Sequence, residues 1–358
     1  MKKHMLTTAL LATLLGACSD TLTAPSQPGP EARPGGFPAG PVVVMTRNMY
    51  VGADLDAVIA ALVSPDPEDD EEALGTAIQT LLANDLVTRA NALAEEIARY
   101  KPHVVGLQEV STIDITIPPM ELDIHQDFLA TLLGALQLRG LQYRVGASNL
   151  NFSLNGILGL PVGLQDFDVL LVDSRVKVLE ASNAAFTCPP LCLPLGFGTI
   201  RRGWVRVDAQ VAGRPVTFVS THPESGDQSP VPLIRAGQMA ELMELLGSTA
   251  PMVLMGDLND VPGSDTYQVL QGAGFTDLWN VLGNGDGNTC CHNSTLDAGS
   301  MVKRIDYVMA RGELQLDHAT ARIERFGLAD AERITTPQGR SIWPSDHAGL
   351  VAAIPLRP

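Results

Sequence analysis

The run Val42-Val43-Val44-Met45-Thr46-Arg47-Asn48 is apolar and ends in an amide, and Val104-Val105-Gly106-Leu107-Gln108-Glu109 is apolar and ends in a carboxylate. Two oxygen donors at adjacent strand ends suit a hard cation such as Mg²⁺, or Mn²⁺ in its place, which takes carboxylate and carbonyl oxygens and keeps several waters. Further on, Val216 to Ser220 leads into Thr221-His222, and Met252 to Met255 leads into Gly256-Asp257-Leu258-Asn259. Residues two apart in an extended chain aim the same way, so Asp257 and Asn259 can act together. Arg304-Ile305-Asp306-Tyr307 carries an acid within a strand, and Ser345-Asp346-His347 precedes the final one. A carboxylate bonded to a histidine fixes its tautomer and raises its basicity, as a general base acting through water requires. Taken singly, each has an ordinary structural reading: a strand-end glutamate is more often solvated, and a lone histidine is more often a core residue.

Such groups converge only if their strands share one sheet edge. Period-two and apolar patterns predict strands over 42–46, 104–108, 167–172, 204–211, 216–220, 252–256, 305–309 and 350–354. Helical periodicity covers 71–100, interrupted near Asn84, then 124–137 and 233–246. This alternation specifies an α/β (α+β) domain. The acidic run from Asp66 to Glu72 lacks the spaced Asp/Asn and Gly of a calcium loop and reads as acids favoured by a helix dipole.

The chain has 358 residues and a formal charge of −16, with 45% hydrophobic and 18% charged side chains. That composition excludes wholesale disorder, and no apolar run approaches the roughly 20 residues that cross a bilayer as a helix. Without clustered Lys and Arg, a polycation that coats nucleic acid is excluded as well, although a local anion site is not.

The motifs resemble, in order and spacing, those of the endonuclease/exonuclease/phosphatase superfamily. The match runs through Asn48, Leu-Gln-Glu109, Ser-Thr-His222, Gly-Asp257-Leu-Asn259, Arg-Ile-Asp306-Tyr and Ser-Asp346-His347. The resemblance implies a four-layer sandwich, two packed mixed β-sheets flanked by helices, and a metal-dependent hydrolase acting on a phosphodiester or phosphomonoester. It makes Glu109 the main metal ligand, assisted by Asn48, with Asp346 bound to the metal or its waters. His347, oriented by Asp306, would deprotonate water, Asp257 and Asn259 would position that water and the phosphate, and His222 would donate to a phosphoryl oxygen. Asp54, just after the first motif, is expected to cap a helix. Relatives keep phosphate contacts between Tyr143 and Phe167; here the stretch is Asn-rich, and Asn149 is the residue expected to take that part. Nucleic acid, phospholipid or sphingomyelin, and inositol phosphate remain open as substrates. A non-catalytic surface binding protein is the rival class, disfavoured because every catalytic residue type is retained.

Lys2, Lys3, a short apolar stretch and Leu15-Gly16-Ala17-Cys18 read as an export signal. Leu-Gly-Ala-Cys resembles the lipobox of bacterial lipoproteins, which makes Cys18 the lipidation site and 1–17 a signal peptide. The alternative is an ordinary secretory signal and release. Removal of the two lysines leaves 22 − 40 = −18 on the mature chain. Residues 18–41, rich in Pro and Gly, read as a hydrated tether, and 42–358 as the catalytic domain. The resemblance to bacterial lipoproteins implies, from Ser19 rather than Asp after the cysteine, delivery to the outer membrane. The membrane, through the lipid, and a phosphate-ester substrate are the expected partners, with no obligate protein partner.

Cys188, Cys192, Cys290 and Cys291 allow three full disulfide pairings, with a zinc site as the rival in an oxidising compartment. The apolar stretches Phe186 to Phe197 and Gly156 to Leu164 are expected as loops, either rigid covers of the core or lipid-touching hairpins.

Overall fold

The computed structural model describes residues 40–356 except 65, 118–120, 158–159, 196–197, 248–250 and 313. The expected signal, Cys18 and nearly all of the tether lie outside the described residues, as does Phe197. Chain order begins β1 (Val42–Asn48), α1 (Leu55–Leu62), α2 (Pro67–Ala83), α3 (Leu86–Tyr100), β2 (Val104–Ile117), β3 (Leu122–Asp127) and α4 (Phe128–Leu138). It continues with β4 (Tyr143–Ile157), β5 (Leu160–Asp173), β6 (Lys177–Ala185), β7 (Leu193–Leu195), β8 (Gly198–Ile200), β9 (Gly203–Val211), β10 (Arg214–Thr221) and α5 (Val231–Leu246). Then follow β11 (Met252–Asp257), α6 (Asp265–Gly272), β12 (Thr276–Asp277), α7 (Leu278–Leu282), β13 (Cys290–His292), β14 (Gly299–Lys303) and β15 (Asp306–Arg311). The last are β16 (Arg322–Phe326), β17 (Ile334–Thr335), β18 (Ser341–Ile342) and β19 (Gly349–Ile354).

Two large mixed sheets form, ordered β16-β19-β1-β2-β5-β4, with β3 on β2, and β12-β15-β11-β10-β9-β6. Their central strands are apolar on both faces, and the period of two sorts the side chains between layers. Val44, Val104, Leu170, Phe218, Val253 and Val308 meet between the sheets. Their neighbours Met45, Val105 and Leu171 face the other way, into a cluster with Leu93 and Ile97 of α3 and Phe128 and Leu132 of α4. Val219, Leu254 and Met309 likewise pack on Met239 and Leu242 of α5 and Leu270 of α6. The result is the expected four-layer α/β sandwich. The sheets approach closely where Gly106 crosses β10 and β11: a Cβ there would lie 2.8 Å from both Met255 Cγ and Ser220 Oγ.

Three local expectations are corrected. Residues 124–127 are strand, not helix, because Ile115 pairs with Ile124 and Thr112 with Asp127, and Asp127 then caps α4 by accepting from Ala130 N. The stretch Gly156 to Leu164 is not a covering loop: its described residues belong to the ends of β4 and β5, which pair as a hairpin, Asn155 opposite Gly163 and Leu154 opposite Leu164. From Phe186 to Phe197 the chain includes the short strand β7 rather than loop alone, with Phe186 buried in the core below α5. The helical break does fall at Asn84, whose amide nitrogen donates to Gly52 O and Ser294 O. Asp54 caps α1, its side chain accepting from Ala57 N.

His103, beside the start of β2, is buried, and its Nδ1 accepts from Val43 N at 2.9 Å. Burial pushes its pKa down to about 4, against about 6.5 in the unfolded chain. Because the unfolded chain protonates first, this contribution is complete above pH 6.5 and is lost as pH falls toward 4, about 3 kcal/mol in all. In urea unfolding, His103→Gln is expected to lose less stability than wild type between pH 7 and pH 5, by about 2 kcal/mol. Equal losses would show that His103 does not titrate on unfolding.

Candidate active site

The ends of β1, β2, β10 and β11 converge on one edge, and each functional group is set there by a local backbone device. In β2 a bulge between Leu107 and Val110 interrupts the pairing with β5, and Glu109 adopts φ +55°. A bulge re-aims the side chain that follows it. The Glu109 carboxylate consequently accepts from Asn48 Nδ2 at 2.9 Å and from Val51 N at 3.1 Å. Asn48, at the end of β1, receives Tyr50 N on Oδ1 and reaches Asp257 Oδ2 with the same Nδ2 at 3.2 Å. As placed, its nitrogen braces two carboxylates while its oxygen receives the Tyr50 amide.

The loop from Met49 to Ala53 is pinned by Arg89 of α3, a fully buried guanidinium that donates to Met49 O, Tyr50 O and Pro344 O. One cation thereby ties the loop after Asn48 to the loop before Asp346. Arg47 plays a parallel part, paired with buried Glu96 at 3.0 Å and donating to His347 O.

Asp257 ends β11 opposite Asp306 of β15. Gly256, at φ +146°, precedes it because a Cβ there would overlap the Thr221 carbonyl. Asp257 Oδ1 accepts from Asn259 N at 2.8 Å, and Asn259 Nδ2 donates to Pro223 O. Asp306 Oδ2 lies 2.8 Å from His347 Nδ1, forming the expected dyad, while its buried Oδ1 has no hydrogen-bond partner among the described residues.

His222 faces Arg202 Nη1 through Nδ1 at 3.1 Å. A guanidinium only donates, so Nδ1 accepts and the proton sits on Nε2, which lies 3.6 Å from Asp257 Oδ2. Burial, then Arg202 and His347, hold its pKa well below the ordinary value, so His222 is a neutral N–H donor.

A cleft of about 340 Å³ is lined by Glu109, His222, Asp257, Asn259, Asp346 and His347, with Asn48 and Asp306 directly behind. Asn149 does not reach it; its amide nitrogen donates to Asn151 Oδ1 below Gly203. Asn151 lines it instead, bonded to Asp166 at 3.1 Å. Asn151, Asp166 and Arg202 were missed in the sequence. The period of two placing 149 and 151 on one face was visible, but nothing local said which would be open.

Burial and neighbouring acids push the Glu109 and Asp346 carboxyls up, and burial with Asp306 pushes Asp257 up to about 7. Burial disfavours the charged form of His347, but Asp306, Asp346 and Asp257 outweigh it and hold its pKa well above the ordinary histidine value. These shifts favour a protonated His347 ring that can donate, and move Asp257 toward the range in which a carboxylate exchanges its proton near neutral pH. Crowded, buried oxygen donors suit a divalent hard cation. Ligand atoms of Asp257, Asp306 and His347 lie within 4.8 Å of one another.

Cys188 pairs with Cys192 and Cys290 with Cys291, one of the three expected connectivities. Cys291 borders the cleft, its Sγ 4.0 Å from His347 Nε2.

Solved structures share the fold at low identity. An endonuclease/exonuclease/phosphatase family protein from Leptotrichia buccalis is 18% identical at TM-score 0.53, over 87% of this chain and 99% of that one. The human Nocturnin catalytic domain, solved with a sulfate anion, is 16% identical at TM-score 0.53, over 89% and 96%. A mannosyl-6-phosphatase of Bacteroides thetaiotaomicron is 14% identical at TM-score 0.52, over 87% and 99%. No curated protein matches the chain in sequence. Residues 80–347 match the Endonuclease/Exonuclease/phosphatase family, and the chain, with its two sheets and its strand-end acids and histidines, belongs to that family.

Proposed function

We propose that the protein is a divalent-cation-dependent phosphoesterase, exported and held at the cell envelope by lipid on Cys18. The observation that carries the catalytic part is the convergence of Glu109, Asp346, Asp257 and the Asp306–His347 dyad on one cleft, with a neutral His222 N–H beside them. Glu109 and Asp346 would hold Mg²⁺ or Mn²⁺, with Asp257 and Asp306 near by. The cation would supply Lewis-acid stabilisation of charge on the phosphoryl oxygens.

The chain's own groups account for the rest. Asp257, fixed by Asn259 N and Asn48 Nδ2, orients a water and accepts its proton. His222 Nε2–H and the His347 imidazolium donate to phosphoryl oxygens as negative charge develops, aimed beforehand by Arg202 and Asp306. Donors fixed in place before the reaction usually lower such barriers more than any other single device, because nothing has to reorganise as the charge appears. Export and anchoring rest on the order of Lys2, Lys3, the apolar stretch and Leu-Gly-Ala-Cys18.

The purified protein, assayed with Mg²⁺ and with EDTA on plasmid DNA, bis-p-nitrophenyl phosphate, sphingomyelin vesicles and an inositol polyphosphate, is expected to hydrolyse at least one. EDTA should abolish that activity, and silence on all four would favour the binding-protein class. Fatty-acid labelling in cells that persists in Cys18→Ser would overturn the anchor.

A further inference from the structure

The catalytic cleft has one apolar wall, and that wall is shared with a second cavity. Val51, Ala53, Leu55, Ile59 and Phe152 line both. The second cavity, about 70 Å³, lies where α1 and α2 cover the extended ends of β2, β4 and β5, and its side chains are all hydrocarbon. An apolar cavity offers water none of the two to four polar partners it needs, and favours hydrocarbon instead. The shared wall is fixed relative to the chemistry: the Val51 N–H that donates to Glu109 Oε2 at 3.1 Å belongs to a residue lining both spaces.

We propose that this cavity is the subsite for an alkyl segment next to the scissile phosphate, so that the substrate is an amphiphilic phosphate ester. The inference rests on the phosphoesterase reading and names its substrate class. On the scale at which 150 Å³ holds a benzene, the cavity takes roughly three carbons. The rest of the cleft fits a single phosphate better than a polyanion. Its lining sets Asp54, Asp56, Glu109, Asp166, Asp257 and Asp346 against the Arg202 guanidinium and the rings of His222 and His347. A nucleic-acid backbone is followed by a track of cations instead.

The test compares p-nitrophenyl methyl, propyl and hexyl phosphates with Mg²⁺. From methyl to propyl, kcat/KM should rise about fourfold per carbon, then level off toward hexyl. Ala77→Leu, on α2 away from the catalytic groups, fills the cavity and should flatten the series while leaving the methyl ester rate unchanged. Leu164→Ala enlarges it and should extend the rise toward hexyl, which keeps the test intact should the filled variant fail to fold. Calorimetry of methyl and propyl phosphate gives a readout independent of turnover. Equal rates for the three esters in an active enzyme overturn the subsite and leave the phosphoesterase standing, the expected result if the substrate is nucleic acid. A preference that survives Ala77→Leu also overturns it. Tighter binding of propyl phosphate, cancelled by Ala77→Leu in a protein that hydrolyses none of the esters, supports the subsite and removes the hydrolase.

Discussion

His347→Ala is expected to lower kcat by about 10²- to 10³-fold with little change in KM, the scale of losing one preorganised donor to transition-state charge. His347 Nδ1 is held by Asp306 at 2.8 Å, and the surrounding acids keep the ring protonated. Substrate in its ground state gains little from that proton; the charge developing at phosphorus gains much. Asp257→Asn should cost at least as much, since it removes the buried carboxylate with base character and keeps the shape that Asn259 and Asn48 grip. Asp306→Asn should fall between wild type and His347→Ala, because the ring stays but loses its counter-charge. Circular dichroism and thermal unfolding would show that the fold persists. Wild-type turnover by His347→Ala would remove the dyad from the mechanism.

Glu109→Gln should raise the Mg²⁺ concentration for half-maximal activity by at least about 10- to 100-fold, the scale seen even for groups behind a metal ligand. Its sign on stability separates a ligand from a structural acid. Glu109 is crowded by Asp346, and burial already disfavours its charge. A neutral amide relieves that cost but keeps one oxygen, so it loses either the bond from Val51 N or the one from Asn48 Nδ2, and the variant measured in EDTA should melt close to wild type. Unchanged Mg²⁺ dependence together with a large fall in melting temperature would make Glu109 a structural residue.

Much of this was legible in the sequence because the central strands are apolar on both faces and stop at a polar residue. β1, β10 and β11 are of that kind, and their ends carry Asn48, His222 and Asp257. β4 was not legible: its Asn-rich run has weak strand propensity, and pairing with β5 overrides it. β6 is an edge strand, mostly exposed, whose pattern lacks an apolar signal. Arg202 was invisible for another reason. It sits at the start of β9, among Asp166 and Asp168 of β5 and Glu224 beyond β10, and only tertiary packing brings its charge to His222. Side-chain type and spacing predicted which groups would meet, whereas protonation depended on how many acids surround each one.

The place of β19 bears on how the protein comes into being. Residues 349–354 insert between β16 and β1, and the Ser-Asp346-His347 turn that feeds them closes the site opened by Asn48 some 300 positions earlier. A nascent chain thus lacks both the strand that joins β16 to β1 and its dyad until this segment emerges, whatever else has already collapsed. Assembly of the site is thereby deferred to the finished molecule. A chain that stalls or is clipped before residue 346 would be inert rather than partly active, and its uncovered β1 edge would mark it for aggregation or proteolysis.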